Sequence, residues 1–292
     1  FEQNGLKRVM VFSERVSRLG DGLMRRVWSA LAILPLVLLA LWAGGVSLLA
    51  LLAIAGIIMS YEWVKLLAST QPRRDGFLLS GALFTLLLVA YLASPGDGLR
   101  LLLVLLFILG GLFWLFHWRV TPVVGGMAYL GWPLLAIAYF RDSALGGFVL
   151  LYVFLTVWAV DIFAMFSGKL FGGPRMAPRI SPNKTWAGLM GAVVGATMVA
   201  VITYYFSNVL VSLRPTLPVI LLLGGLLAVV SQMGDLFESA LKRKYDLKDA
   251  GSILPGHGGV LDRVDGLIGA LIFLHLIVLL RGQPPLQSIL VW

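Results

Sequence analysis

Apolar stretches of about twenty residues recur along this chain, and each is long enough for a helix to cross the hydrocarbon core of a bilayer. Nine stand out: Val27–Gly44, Val46–Trp63, Phe77–Ala93, Leu99–Trp118, Val123–Phe140, Leu145–Ser167, Trp186–Phe206, Thr216–Gly234 and Leu261–Leu280. Only Gly44 and Gly45 separate the first two, which predicts a tight hairpin. One such stretch could be a buried helix of a large soluble protein; nine within 292 residues argue against that. Charged residues make up 13% of the chain, about half the share in an ordinary soluble domain. A globule of this size could not be coated with so little charge, and the chain is far too apolar to be disordered. The pattern predicts an all-α, polytopic integral membrane protein with about nine transmembrane helices.

The loop cations give the orientation. With the N-terminus cytoplasmic, 19 of the 23 lysines and arginines fall on the inside, and only Arg100, Arg141, Arg214 and Arg281 fall outside. That places the C-terminus outside. Residues 1–26 form a basic N-terminal segment. Within it Val9, Phe12, Val16 and Leu19 share one helical face, and Arg8, Arg15 and Arg18 another. Leu6–Leu19 therefore reads either as an interfacial helix on anionic lipid or as a solvated basic leader. It does not read as a cleaved signal peptide, because the apolar run after it is long and no convincing cleavage site follows. Residues 27–143 carry almost nothing polar inside the spans and read as a transmembrane scaffold. Glu62, beside Trp63 and Lys65, reads there as a side chain snorkelling to the interface. Residues 144–282 hold the polar chemistry and two cytoplasmic loops, and 283–292 form a tail.

An aspartate at a helix centre costs roughly 2.5–3.5 kcal/mol on insertion scales, so intramembrane carboxylates call for compensation. Asp161 lies inside the sixth span, Asp235 closes the eighth, and Asp262 and Asp265 open the ninth. Each alone could be a structural partner of a nearby cation, but the chain returns all four to one side of the membrane. If the eighth helix continues, Asp235, Ser239 and Lys242 share a face, with Arg243 beside them. Asp262 and Asp265 are likewise spaced for one face. Carboxylate oxygens suit hard cations, and Mg²⁺ is commonly held by one or two carboxylates plus substrate phosphates. The absence of cysteine rules out a thiolate zinc site, a disulfide or a thiol nucleophile. His117 and His275 sit at or in apolar spans and read as structural.

Two loops complete the constellation. Lys248 to Gly259 contains Asp249, Gly251, Pro255, Gly256, His257, Gly258 and Gly259, residues that exclude helix and permit positive φ. Its backbone amides could line an anion site, or the segment could be a plain turn. His257 could bond a carboxylate or phosphate, or serve structure alone. Gly168–Thr185 carries Lys169, Arg175, Arg179 and Lys184 in a Gly/Pro-rich setting that suits a polyphosphate, although the positive-inside rule alone would also favour such cations. Ser181 or Thr185 could cap the seventh helix.

These residues resemble a known family. Ser239-Ala-Leu-Lys242-Arg243, four residues, then Lys248-Asp249-x-Gly251-x-x-Leu254-Pro255-x-His257-Gly258-Gly259-x-x-Asp262-Arg263-x-Asp265 looks like the full signature of the phosphatidate cytidylyltransferases, or CDP-diacylglycerol synthases. Gly234-Asp235-Leu236, Ser181-Pro182-x-Lys184-Thr185 and Asp161-x-x-Ala164-x-x-x-Gly168-Lys169 resemble further family motifs. The resemblance is close over the C-terminal half; the N-terminal half agrees only in being several membrane helices. Two positions depart from it: Ala187, where the family usually has Glu or Gln, and Met165, where an aromatic is common. If that Glu contributes to catalysis, Ala187 would impair the reaction.

The resemblance implies transfer of CMP from CTP to phosphatidic acid, with release of pyrophosphate. It also implies a paired metal centre, with Mg²⁺ and a second ion, divalent or monovalent, and a homodimer. It gives no reason to expect a nucleic-acid partner. On this reading Asp235, Asp262 and Asp265 are the metal ligands, with Asp235 and Asp262 first and Asp249 and Asp161 following. Lys184, Lys242, Arg243, Lys248 and Arg263 hold phosphates, while Ser239, Ser181 and Thr185 orient them. Lys169, His257, Gly258 and Gly259 complete the site. A secondary transporter is one competing reading, since intramembrane aspartates and broken helices also mark transport sites; a CDP-alcohol phosphotransferase, whose Asp-Gly-x-x-Ala-Arg pattern fails after Asp265-Gly266, and a non-catalytic membrane scaffold are the others. Transporters usually place that charge near the midplane, whereas most of it here lies towards one side.

Overall fold

The computed structural model describes residues 35–116, 121–210, 215–247, 249–251, 253 and 258–291. The expectations for Leu6–Leu19 and for residues 27–34 lie outside these. Residues 35–43 are helical and end at Gly44. Gly44 and Gly45 have φ of +65° and +51°, a conformation that side chains with a Cβ avoid. The chain breaks there into α1 (Gly45–Leu66), then α2 (Pro72–Leu92) and α3 (Pro95–Phe116). Next come α4 (Thr121–Gly126), a π-helical turn (Met127–Gly131) and α5 (Trp132–Asp142), which run on as one rod. The second half comprises α6 (Gly146–Phe171), α7 (Trp186–Leu210), α8 (Leu217–Lys244), α9 (Leu261–Arg281) and the short α10 (Pro285–Leu290). A small antiparallel hairpin, β1 (Arg175–Ala177) and β2 (Ser181–Thr185), joins α6 to α7.

Among the described residues seven helices are long and apolar enough to span a membrane. With α3 and residues 35–43 at the positions of two further expected spans, the architecture is the polytopic all-α one that the apolar periodicity predicts. Helix ends differ more than helix positions. The apolar pattern ends the eighth span at Gly234, but α8 runs to Lys244; α6 continues past Ser167 to Phe171, and α2 begins at Pro72 instead of Phe77. Hydropathy marks where lipid touches a helix, not where its hydrogen bonds stop.

Contacts at the helix ends fix a common direction. At one end of the molecule the Arg141 guanidinium donates to the carbonyls of Leu41 (2.6 Å) and Trp42 (2.8 Å). At the other, Glu62 near the end of α1 meets the start of α9. Because α8 and α9 are antiparallel neighbours, the end of α8 and the start of α9 share this second end.

Lipid tails give helices no hydrophobic reason to associate, so close backbone packing must hold them together. Glycines supply it along two seams. On α7, a Cβ at Gly191 or Gly195 would stand 2.7 Å from the Phe163 carbonyl or 2.8 Å from the Ala159 carbonyl of α6. Between α8 and α9, a Cβ at Gly269 would lie 2.9 Å from the Val230 carbonyl, and one at Gly234 would press on the Asp265 carbonyl at 2.5 Å. Most buried apolar side chains from α1 to α10 form one cluster, and Val160, Ala192, Ala196 and Ala228 form a second between α6, α7 and α8. Large side chains such as Phe107 and Leu280 face outward, 83% and 86% exposed, as lipid contact requires.

Candidate functional site

The second glycine seam sets the site. It draws α8 against α9 where one carries Asp235 and the other Asp265. Across from them α6 presents Asp161 and Lys169, and β2 presents Ser181, Lys184 and Thr185. All seven, with Lys242, Asp249, Asp262 and Arg263, line one cavity of about 1190 Å³. Apolar side chains share the lining: Leu38 and Leu41, Phe154, Trp158 and Met165 of α6, and Val264 and Leu267 of α9.

Two lysines are held by carboxylates on the cavity wall. The Lys184 ammonium lies 2.7 Å from Asp235 Oδ2 and donates to the Gln232 carbonyl at 3.2 Å. Ser239 Oγ donates to the other oxygen of Asp235 at 3.2 Å. The Lys242 ammonium lies 2.8 Å from Asp262 Oδ1 and 3.2 Å from Glu238 Oε1. The second pair is largely removed from solvent: the side chains of Lys242 and Asp262 are 13% and 6% exposed, against 34% for Asp235. Thr185 Oγ1 accepts the Gly188 N–H at 3.1 Å, so Thr185 caps α7.

Asp262 differs from the other aspartates in being saturated. Oδ1 accepts from Lys242 and from Ala250 N–H, and Oδ2 accepts from Ala250 N–H at 3.0 Å and Gly259 N–H at 2.8 Å. Gly258, at φ +83°, turns the backbone so that this arrangement closes. Asp265 accepts only the neighbouring Gly266 N–H at 2.8 Å among the hydrogen bonds described. Asp161, Asp235 and Asp265 line the same cavity, and Lys184, Lys242 and Arg263 are the cations among them.

Arg243 turns away from the expected phosphate site: its Nε donates to the Ile180 carbonyl at 3.3 Å and pins the hairpin to α8. Lys169 is on the last turn of α6 and not in a loop, yet still reaches the cavity. Ala187 is the second residue of α7, and Met165 lines the cavity one turn after Asp161. Lys248 and His257 lie outside the described residues, as does His117. His275 is buried among Trp132, Tyr139 and Phe140.

Sequence reasoning misread one buried carboxylate near the site and passed over another. Glu62 is no interfacial snorkeller: it is 2% exposed and accepts the Val260 and Leu261 N–H groups at 3.0 and 2.8 Å. Like Asp161, it is an acid inside an apolar run, and that signal applied equally to both. Glu238 is fully buried beside Lys242, and its place four residues before Lys242, close to Asp235, was a readable signal.

Among the described residues no three histidine or acidic side chains form a metal cage by themselves. The donor set nonetheless fits a hard cation shared with a ligand. Three mutually repelling carboxylates face one cavity, and Mg²⁺ needs only one or two of them once phosphate oxygens complete its shell. With fixed lysines beside them and apolar side chains in the same lining, the cavity can bring a polyanion to a molecule with a hydrocarbon body.

Comparison with known proteins agrees with this chemistry. The family model described as "Cytidylyltransferase family" matches residues 24–280. A phosphatidate cytidylyltransferase of Brucella suis biovar 1 (strain 1330) is 36% identical over 284 residues, covering 92% of this chain and 97% of that protein. One from Haemophilus influenzae is 33% identical over 282 residues, covering 86% and 96%. One from Rickettsia prowazekii is 36% identical over 208 residues, covering 65% and 86%.

Proposed function

The chain belongs to the cytidylyltransferase family, and from that premise we propose that it transfers CMP from CTP to phosphatidic acid, giving CDP-diacylglycerol and pyrophosphate. The observation that carries this reading is the mixed lining of the cavity, where paired lysines and carboxylates stand in one space with Leu38, Phe154, Trp158 and Met165. It suits one water-borne and one lipid-borne substrate meeting at a membrane surface.

In the reaction a phosphate oxygen of phosphatidic acid attacks the α-phosphorus of CTP. The bond from that phosphorus to the bridging oxygen breaks, and pyrophosphate leaves with the electron pair. The attacking phosphate is already an anion, so no strong general base is required. The difficulty is bringing two polyanions together, and such chemistry is mostly positioning and charge stabilisation. Lys184, Lys242 and Arg263 hold phosphate oxygens. Asp235 and Asp262 keep the two lysines in place before substrate arrives, so little is spent on ordering them. Ser181, Ser239 and Thr185 orient the hairpin and α8 around the phosphates, and Lys169, Asp249, Gly258 and Gly259 close the site.

We further propose that Mg²⁺ is required, held by Asp235 and Asp265, with Asp161 facing them and a second ion beside it. Bound there, it would neutralise phosphate charge and draw electrons from the phosphorus. The saturation of Asp262 argues that it serves by holding Lys242 and the glycine loop. Residues 27–143 brace this site and 144–282 build it. The enzyme is a homodimer in the bacterial inner membrane with its site facing the cytoplasm, where CTP is available.

Pyrophosphate release by purified protein, supplied with CTP and phosphatidic acid in mixed micelles, tests the reading. Release that needs both substrates and stops with chelator is expected. No release, or substrate-driven flux in proteoliposomes without CTP use, would refute it.

A further inference from the structure

Glu62 comes from α1, outside the segment that supplies the cavity's charged residues. The two oxygens of its carboxylate engage different groups. Oε1 accepts the Val260 N–H and Oε2 the Leu261 N–H, 198 and 199 residues away in the chain. These amides open α9, and helix-opening amides are orphan donors that attract an anion. Here a side chain is that anion. Two glycines wrap it. A Cβ at Gly251 would collide with Glu62 Oε1; one at Gly259 would stand 2.8 Å from that oxygen and 2.8 Å from the Gly251 nitrogen.

Both ends of the connection from α8 to α9 thus meet on one buried carboxylate. Those same ends carry the donors that saturate Asp262. Ala250 precedes Gly251, Gly259 precedes Val260, and both donate to Asp262, which holds Lys242. The relay runs from Glu62 through two backbone strands to Asp262 and on to the lysine on the cavity wall. A carboxylate within a transmembrane helix is expensive. Glu62 is compensated by charge-assisted bonds to this connection, and an apolar residue would have served the bundle at lower cost.

We propose that Glu62 is a positioning residue for the nucleotide: it holds residues 249–251 and 258–262 in the form that presents Lys242 and Arg263 to the triphosphate. This rests on the cytidylyl-transfer reading. The N-terminal bundle is then part of the nucleotide site, not an inert brace. Most of the apolar lining, Val37, Leu38, Leu41, Phe154, Trp158 and Met165, comes from α6 and residues 37–41, so loss of Glu62 bears on CTP before it bears on the lipid.

The test compares the full chain with Glu62→Ala and Glu62→Gln, each purified in detergent and assayed with both substrates. Removing an outer residue that orients a binding group typically costs 10–100-fold, so KM for CTP should rise about 10-fold or more in Glu62→Ala. It should rise less in Glu62→Gln, which fills the same space and keeps one acceptor. KM for phosphatidic acid should not move. A merely structural role would reduce the fraction of active molecules, lowering kcat and leaving both KM values in place. A folded Glu62→Ala with the parent's KM for CTP, a fall in kcat alone, or failure of both variants to fold overturns the proposal. If the parent protein releases no pyrophosphate, it is the cytidylyl-transfer reading that fails. Direct calorimetric titration of CTP into parent and variant then carries the same comparison, and equal affinity overturns the role of Glu62.

Discussion

Asp235 and Asp262 bear the same carboxylate, but their neighbours give them different roles. Asp235 has Lys184 and Ser239 as partners and faces open cavity, so an oxygen lone pair remains for a cation. Asp262 accepts from one ammonium and two backbone amides, and a metal would have to displace one of them. We therefore expect Asp235→Asn to lower activity and to raise the Mg²⁺ concentration needed for half-maximal pyrophosphate release, by about 10–100-fold in affinity. Asp262→Asn should lower activity without moving that midpoint, because its new amide group would point donors at the Ala250 and Gly259 N–H groups. The opposite pattern in a Mg²⁺ titration would exchange the two assignments. Lys242 is the common partner of Asp262 and Glu238. Breaking a buried ion pair from one side costs about 3–5 kcal/mol. Lys242→Met should thus lower the midpoint of thermal unfolding as well as turnover, read by fluorescence in detergent.

At the scale of elements, the glycine seams show how much of the molecule the sequence could convey. The spans were legible because lipid demands long apolar runs, and Asp161, Asp235, Asp262 and Asp265 were legible because charge is scarce within them. The extension of α8 to Lys244 was foreseeable only as a condition, since nothing in hydropathy says whether a helix continues into water. The hairpin of Arg175–Thr185 was hidden, because five residues of Ser-Pro-Asn-Lys-Thr have no strand pattern and pair only through their neighbour. Glu62 was hidden for a related reason: its partners are backbone amides nearly two hundred residues away, and side-chain identity does not encode them. The seams make a prediction of their own. A Cβ at Gly234 would press on the Asp265 carbonyl at 2.5 Å, while one at Gly81 on α2 would meet nothing within 4 Å. Overpacking costs typically about 1–3 kcal/mol. Gly234→Ala should therefore destabilise and, by separating Asp235 from Asp265, reduce turnover further than the loss of folded protein explains. Gly81→Ala should leave both unchanged. Equal behaviour of the two variants would show that the seam does not set the site.

For the whole molecule, the decisive asymmetry is in what the cations do. The positive-inside pattern assigns 19 of 23 to one side, and three of the four exceptions prove to be engaged rather than free. Arg100 pairs with Asp97 at 2.6 Å. Arg141 closes the end of residues 35–43 by donating to the Leu41 and Trp42 carbonyls. Arg281 donates to the carbonyls of Ser288 (3.1 Å) and Val291 (2.7 Å), fastening α10 under α9. Arg214 lies outside the described residues. Four arginines against 19 cations leave the loop-charge bias, and with it the inferred orientation, in place. In that orientation Arg179, on the hairpin beside the cavity, faces the cytoplasm, and Gln283, after α9, faces the opposite side. The chain has no cysteine, so Arg179→Cys and Gln283→Cys each create its only thiol, and both positions are exposed. In intact cells a membrane-impermeant maleimide should label Gln283→Cys at once, and Arg179→Cys only after the membrane is opened. The reverse labelling would invert the topology. It would also move the cavity away from the compartment that holds CTP, so this one measurement bears on orientation and on the proposed reaction together.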